Sequence, residues 1–352
     1  MKVAIGGGVD TNENWDELSD YVIEAEKLGV DSVWSAEAWG LDGATTLAYL
    51  AAKTSKIKLG SGILQTVGRT PANLAMTAMS LASMSGGRFL LGLGASGPQV
   101  VEGWHGVPFE KPIRRMRELI EIIKIIASGE RLAYEGQIYR LPLPGGEGKS
   151  LRIRAQPQPN IPIYLATLSP KSLELTGEVA DGWLGTSFMP EHPDVFFEYI
   201  EKGAKKAGRS LKDIDLAVGG AVAFSDDVDK LIERNRPGIA FTLGAMGSPT
   251  RNFYNAAFRR AGYDEDAIAV QKKWLEGDRE AATAMVPDEL VIQVNLLGTE
   301  EMVRERIRKY RDAGVTTLRL QPSGRTLAER LETLGRAMGL VNEVSRETAT
   351  AS

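Results

Sequence analysis

The residues of this sequence that could do chemistry sit where β-rich runs give way to loops. Glu37, Trp39 and Asp42 follow the run 30–35, and Ser61, Gly62, Gln65, Thr66 and Arg69 follow 57–60. Gly94, Ser96, Gly97 and then His105 follow 88–93, and Thr167 and Ser169 follow 161–166. Thr186, Ser187 and Glu191 come after Trp183, and Gln321, Ser323 and Arg325 close the last run. The set is rich in small and hydroxyl residues and poor in paired acids. Glu37 and Asp42 share one loop with no carboxylate indicated across from them, which argues against a glycosidase pair. No lysine stands at a strand end for Schiff-base chemistry, and no Gly-x-Ser-x-Gly turn occurs. Cysteine is absent and histidine occurs only at 105 and 192, so thiol catalysis, disulfides and a His-rich metal centre drop out. What is left suits a receptacle for a planar cofactor that brings its own reactivity. For proton transfer it offers Glu37 and His105, a carboxylate and an imidazole, both side-chain types that serve in general acid–base catalysis.

The most informative stretch is 88–109. It opens as an apolar strand, Phe89 to Leu93, and runs into a loop with glycines at 94, 97, 103 and 106, before a helix from about Pro112. Glycine lacks Cβ and tolerates positive φ, so such a strand exit can bring backbone N–H groups close to an anionic or planar ligand. Tight structural turns use glycine for the same reason.

These residues need a scaffold. The chain has 352 residues, 43% hydrophobic and 25% charged, the balance of a globular protein. With 42 basic and 46 acidic residues the net charge is −4, and no basic excess points to nucleic acid. No apolar run is long enough to span a bilayer. The first residues enter a strand without a signal peptide, which predicts a cytoplasmic protein.

Strand patterns at 2–6, 30–35, 57–60, 88–93, 161–166, 180–185, 214–224 and 315–320 alternate with helical ones. Leu18, Tyr21, Val22, Ala25 and Leu28 mark the first helical face, and Leu327, Leu331, Leu334 and Met338 mark the last. About eight strand–helix units predict a (β/α)8 TIM barrel, with its chemistry at the C-terminal ends of the strands. The expected organisation is one barrel domain over 1–345, with insertions at about 130–160 and 226–295 and a frayed tail at 346–352. Residues 134–141 read as a hairpin in the first insertion. The second is helical and is expected to cover the open end of the barrel or to pack as an outer layer.

Taken together, Gly92 to Gly106, Tyr134 to Tyr139, Ala180-Asp-Gly-Trp183, Val286-Pro-Asp-Glu-Leu290 and Asp312 to Leu318 make the chain resemble the bacterial luciferase-like superfamily. The closer likeness is to its deazaflavin-dependent branch, which uses coenzyme F420. The resemblance implies a luciferase-like barrel with the deazaflavin ring at its mouth. It also implies a bulge with a non-prolyl cis peptide at Ser61, Gly62 and Ile63, most simply the Gly62–Ile63 bond. Gly94, Ser96 and Gly97 would lie near the ribityl chain or phosphate. Thr167, Leu168 and Ser169 would lie near the same tail, the helix after Ser169 offering N–H groups to phosphate. Ser169-Pro170 is also an ordinary helix start. Trp39 would wall the pocket.

The sugar-phosphate dehydrogenases of this branch carry Asp-His after their second strand and a Glu after the glycine loop. Here those places read Glu37-Ala38 and Gly97-Pro98, which argues against a sugar-6-phosphate substrate. The resemblance thus implies an F420-dependent oxidoreductase. It would transfer a hydride between deazaflavin C5 and a small organic substrate, an alcohol/carbonyl pair or an activated alkene, with Glu37 or His105 handling a proton. An FMN-dependent monooxygenase and a non-catalytic flavin-binding protein are the alternatives. A homodimer or higher homo-oligomer is expected, without nucleic-acid or membrane partners.

Overall fold

The computed structural model describes residues 1–7 and 14–349. Among these residues twelve strands form in chain order. They are β1 (Lys2–Gly6), β2 (Ser32–Ser35), β3 (Lys58–Ser61), β4 (Leu64–Gln65), β5 (Phe89–Gly94) and β6 (Tyr134–Glu135). β7 (Arg140–Leu141), β8 (Ile163–Ala166), β9 (Gly182–Leu184), β10 (Asp215–Phe224), β11 (Leu296–Gly298) and β12 (Thr317–Pro322) follow. Parallel pairing runs β12-β1-β2-β3-β5-β8-β9-β10, and β10 returns to β12, closing an eight-stranded barrel. The expected TIM barrel is what forms.

Alternation along the strands builds two cores. Val3 and Ile5, Val33, Leu59, Leu91 and Leu93, and Leu318 and Leu320 point outward into the main core with the helices. Ala4, Trp34, Leu90, Tyr164, Leu184 and Ala217 point inward. Successive side chains leave opposite faces of a strand, so each barrel strand feeds both layers. Trp34 and Tyr164 meet edge-on, with centroids 5.0 Å apart. At the lower end the Tyr164 hydroxyl donates to Asp215 Oδ2 (2.8 Å), Thr317 Oγ1 donates to Oδ1 (2.7 Å), and Lys2 stands 3.5 Å away. Burial opposes the charge on Asp215, but donors from Thr316, Thr317 and Tyr164 outweigh it and hold the carboxyl below its ordinary range.

Local signals start the helices that aim the loops. Asp42 caps Gly43–Lys53 by accepting from the Thr45 N–H (2.6 Å), and Thr70 caps Pro71–Met84, with proline in its first turn. The hairpin expected at 134–141 is β6 and β7, antiparallel. It hangs on buried Glu118, which accepts from the N–H groups of Gln137 (2.8 Å), Ile138 (2.9 Å) and Tyr139 (3.0 Å). Burial pushes the Glu118 pKa up, and these donors more than reverse it.

Two expectations need correction. The frayed tail from 346 is not seen: the closing helix spans Leu327–Ala349, and Glu347 pairs with Arg308 (2.7 Å) and Arg311 (2.9 Å). Small polar residues hid an ion-paired last turn, and 350–352 lie outside the described residues. The long helical segment also ends in an unexpected strand. β11 pairs with β10 at Val222↔Leu296, while Val222 also pairs with Pro322 of β12. A strand has two edges, so β11 takes the edge that β9 held lower down at Ala217↔Leu184. Among the described residues, no helix is long and apolar enough to cross a membrane.

Candidate active site at the barrel mouth

The mouth is organised by an interruption between β3 and β5. They pair at Leu59↔Phe89 and Gly60↔Leu90, and β4 resumes at Leu64↔Leu93 and Gln65↔Gly94. Ser61, Gly62 and Ile63 therefore span a gap that only Leu91 and Gly92 occupy on β5, which is a bulge. The Gly62–Ile63 peptide is cis, as the resemblance implied. Ser61 closes the bulge from below: its hydroxyl donates to the Gly92 carbonyl (2.9 Å) and accepts from the Gly92 N–H (2.8 Å). A Cβ at position 92 would stand 1.8 Å from the Ser61 carbonyl oxygen, so only glycine allows this approach. The Ser61 side chain is fully buried and committed to the sheet, so it offers a ligand no hydroxyl.

Above it, Ile63 turns into the mouth, packing on the inner cluster while staying partly open. A Cβ on Gly94 would come within 2.8 Å of Ile63 Cγ1. Ala166 is also partly open beside that cluster, and among the described residues nothing lies within 4 Å of a Cβ built on exposed Gly6. This small, apolar floor is the kind of surface on which a flat ring can lie. At its rim Ser96 takes a left-handed backbone (φ 59°), and Gly97 starts the short helix Pro98–Gly103.

The loop after β8 is more occupied than expected. Thr167 Oγ1 shares a hydrogen bond with Thr176 Oγ1 (2.7 Å), and the Thr167 carbonyl accepts from Trp183 Nε1 (3.0 Å). The Leu168 carbonyl accepts from Arg260 of the helical segment (2.7 Å). This contact sets the end of helix Phe253–Arg260 beside the loop after β8. Ser169 is the N-cap of Pro170–Val179, its N–H and hydroxyl both bonded to Ser172 Oγ (3.1 and 2.8 Å).

On the opposite rim Glu37 and His105 do come together, through residues that sequence reasoning left without a role. Glu37 is gripped by Arg69 on both oxygens (2.8 and 2.9 Å), and its Oε2 accepts from the Gly43 N–H (3.2 Å). Arg69 also contacts Asp42. Hydrogen bonding to Glu37 outweighs burial and raises the Arg69 pKa above its ordinary value. Both Glu37 oxygens are thus engaged in charge-assisted or backbone hydrogen bonds that hold the loop. Gln65 is buried, with Nε2 donating to the carbonyls of Glu37 (3.3 Å) and Ala38 (3.0 Å) and Oε1 lying 3.0 Å from His105 Nε2. Trp39 is 59% exposed, so it stands on the outer lip instead of walling a closed pocket. The pairing of Gln65 with Gly94 in the sheet places Gln65 at the mouth.

The luciferase-like monooxygenase family model matches residues 1–317. A Mycobacterium tuberculosis protein named as a coenzyme F420-dependent oxidoreductase is 37% identical over 319 residues, covering 88% of this chain and 91% of that protein. The 5,10-methylenetetrahydromethanopterin reductase of Archaeoglobus fulgidus is 33% identical over 306 residues, covering 85% and 87%. Among solved structures, the F420-dependent tetrahydromethanopterin reductase of Methanopyrus kandleri superposes with a TM-score of 0.79 at 27% identity, over 95% of this chain and 98% of that one. Matched along most of its length by the family model and by relatives above 30% identity, the chain belongs to the luciferase-like monooxygenase family.

Proposed function

We propose that the protein is an F420-dependent oxidoreductase acting on a small organic substrate, an alcohol/carbonyl pair or an activated alkene. The bulge at 61–63 carries this reading, since it presents Ile63 as an apolar support at the open end of the barrel. The names of the F420-dependent relatives support the same cofactor. Bound F420 supplies or accepts a hydride at C5 of its deazaflavin ring. The chain does the rest. Ile63, Gly94 and Ala166 bear the ring, while Ser96, Gly97, Leu168 and Ser169 receive the tail. Arg69 holds the 37–42 loop through Glu37, and His105 is the proton-handling group. The Gln65 amide nitrogen is turned to two carbonyls, so its oxygen faces His105 and requires the imidazole to carry hydrogen on Nε2. Nδ1 is then the nitrogen left to exchange a proton with substrate. This reading moves the proton from Glu37 to His105 and makes Glu37 a loop anchor.

Titration of the purified protein with F420 and with FMN, followed by fluorescence, tests the reading. Saturable F420 binding with FMN weaker supports it. Tight FMN binding with oxygen consumption from reduced FMN replaces it with the monooxygenase. Tight F420 binding without turnover on any carbonyl or enone leaves a cofactor carrier.

A further inference from the structure

One charged group in the barrel has no part in the site described so far. β12 reads Thr-Leu-Arg-Leu-Gln-Pro, and Leu318 and Leu320 belong to the outer core. The alternation puts Arg319 on the inner face. Its register partners are Ala4 of β1, a member of the inner cluster, and Gly219 of β10. Its flanks are thus the smallest side chains available. The next inward position up β1 is Gly6, where a Cβ would meet nothing within 4 Å among the described residues. Arg319 itself keeps part of its surface accessible.

Its bonding is meagre. Guanidinium offers five N–H donors in a planar fork. Among the described residues Arg319 makes one hydrogen bond, from Nη1 to the Gly185 carbonyl just past β9, at 3.3 Å. Other arginines are well served: Arg69, Arg117, Arg236, Arg304, Arg306, Arg308, Arg311 and Arg330 each meet carboxylates, and Arg88 reaches four carbonyls and a hydroxyl. Among the described residues no carboxylate pairs with Arg319. Asp215, two inward positions below Gly219 along β10, is already taken by Tyr164, Thr316 and Thr317. Burial lowers the Arg319 pKa to about 10, which still leaves it charged at neutral pH. A desolvated cation without a counter-charge is costly to keep, and a planar fork matches a planar oxyanion bidentately.

We propose that Arg319 recognises a carboxylate on the substrate, so that the enzyme acts on small carbonyl or enoic acids and not on their neutral counterparts. This deepens the proposed function by naming a substrate class, and it rests on the barrel mouth being the active site. Arg319 lies three strands from the β3 bulge by one way round the barrel and five by the other. A ligand resting on Ile63 can therefore extend an acid group toward the far wall.

The test uses the full chain as wild type, Arg319→Met and Arg319→Lys. The probes are levulinate and cinnamate against methyl levulinate and cinnamamide. Calorimetry measures binding with and without F420, and circular dichroism checks the fold. The expected result is at least about tenfold tighter binding of the acids by wild type, corresponding to about 1.4 kcal/mol. Arg319→Met should abolish that preference and Arg319→Lys should keep part of it, with F420 affinity unchanged in both. Equal binding of acids and neutral partners by wild type overturns the proposal, as does a preference that survives Arg319→Met. Loss of F420 binding in Arg319→Met, with no acid preference in wild type, gives the guanidinium to the cofactor and also overturns it. An Arg319-dependent acid preference in a protein that does not bind F420 upholds the proposal while the F420 reading fails.

Discussion

His105 Nε2 and Gln65 Oε1 lie 3.0 Å apart, and the Gln65 amide nitrogen is committed to the carbonyls of Glu37 and Ala38. One buried amide thus sets the tautomer of the histidine that we assign to proton handling. His105→Asn should lower kcat about 100-fold, at the lower end of what general acid–base groups contribute, with F420 affinity unchanged. Gln65→Leu should cost about tenfold in kcat, in the range found for groups that orient another residue. Imidazole nitrogen NMR should then show a mixture of tautomers where the wild type shows one. Full activity in His105→Asn would reduce the imidazole to loop packing.

Arg69 and Glu37 form a pair that is little exposed on either side. Removing one partner leaves the other charge without its counter-ion, at a cost of about 3 kcal/mol. Arg69→Met should lower the unfolding free energy by that order and raise KM, because the 37–42 loop loses its anchor. Glu37→Gln keeps one acceptor oxygen and should retain most of kcat. A collapse of kcat in Glu37→Gln at unchanged stability would restore Glu37 as the proton donor.

Gly92 and Gly94 flank one bulge but should fail differently. Gly92→Ala drives a Cβ into backbone, 1.8 Å from the Ser61 carbonyl oxygen, and should prevent stable folding. Gly94→Ala meets only the Ile63 side chain, which can turn away. That variant should fold, melt within a few degrees of wild type and bind F420 at least tenfold more weakly, about 1.4 kcal/mol. Thermal melts and F420 titration separate the two outcomes, and equal F420 binding in Gly94→Ala would contradict the ring-bearing role of Ile63.

Glu118 and Asp215 both have carboxyl groups held below their ordinary range in the folded chain. Folding therefore favours their charged forms. Their contribution is fully present above the unfolded carboxylate value, about 4, and is lost as pH falls through the lower folded values. Glu118→Gln should weaken the protein near neutrality by about 1–3 kcal/mol, since one of its oxygens no longer accepts from backbone. Its stability should also fall less steeply than wild type on acidification. Urea midpoints across the acid range measure both, and parallel acid limbs for the two proteins would rule this out.

Much of this architecture is written in local pattern. The apolar run Phe89 to Leu93 and the Thr70-Pro71 helix start need no tertiary context, and the repetition of such strand and helix signals along the chain points to the barrel. The resemblance marked the Gly62–Ile63 bond, which no propensity scale singles out. What stayed hidden depends on partners far away in sequence. Glu37 reads as a free acid until Arg69, thirty-two positions on, closes around it. Ser61 and Thr167 read as ligand hydroxyls until Gly92 and Thr176 claim them. Arg319 was within reach: Leu318 and Leu320 already show which face of that strand is apolar, and an arginine between them must point into the barrel.

β10 carries β9 along its lower half and β11 along its upper half, on one edge. The helical segment thus reaches the barrel through a spliced seam, while the bulge that bears Ile63 belongs to β3, β4 and β5 on another side. The bulge and the helical segment share no strand. Residues 226–295 join the proposed cofactor side through the hydrogen bond from Arg260 to the Leu168 carbonyl, so a lineage, or an engineer, that rewrites them to suit a new substrate would have to keep that one contact.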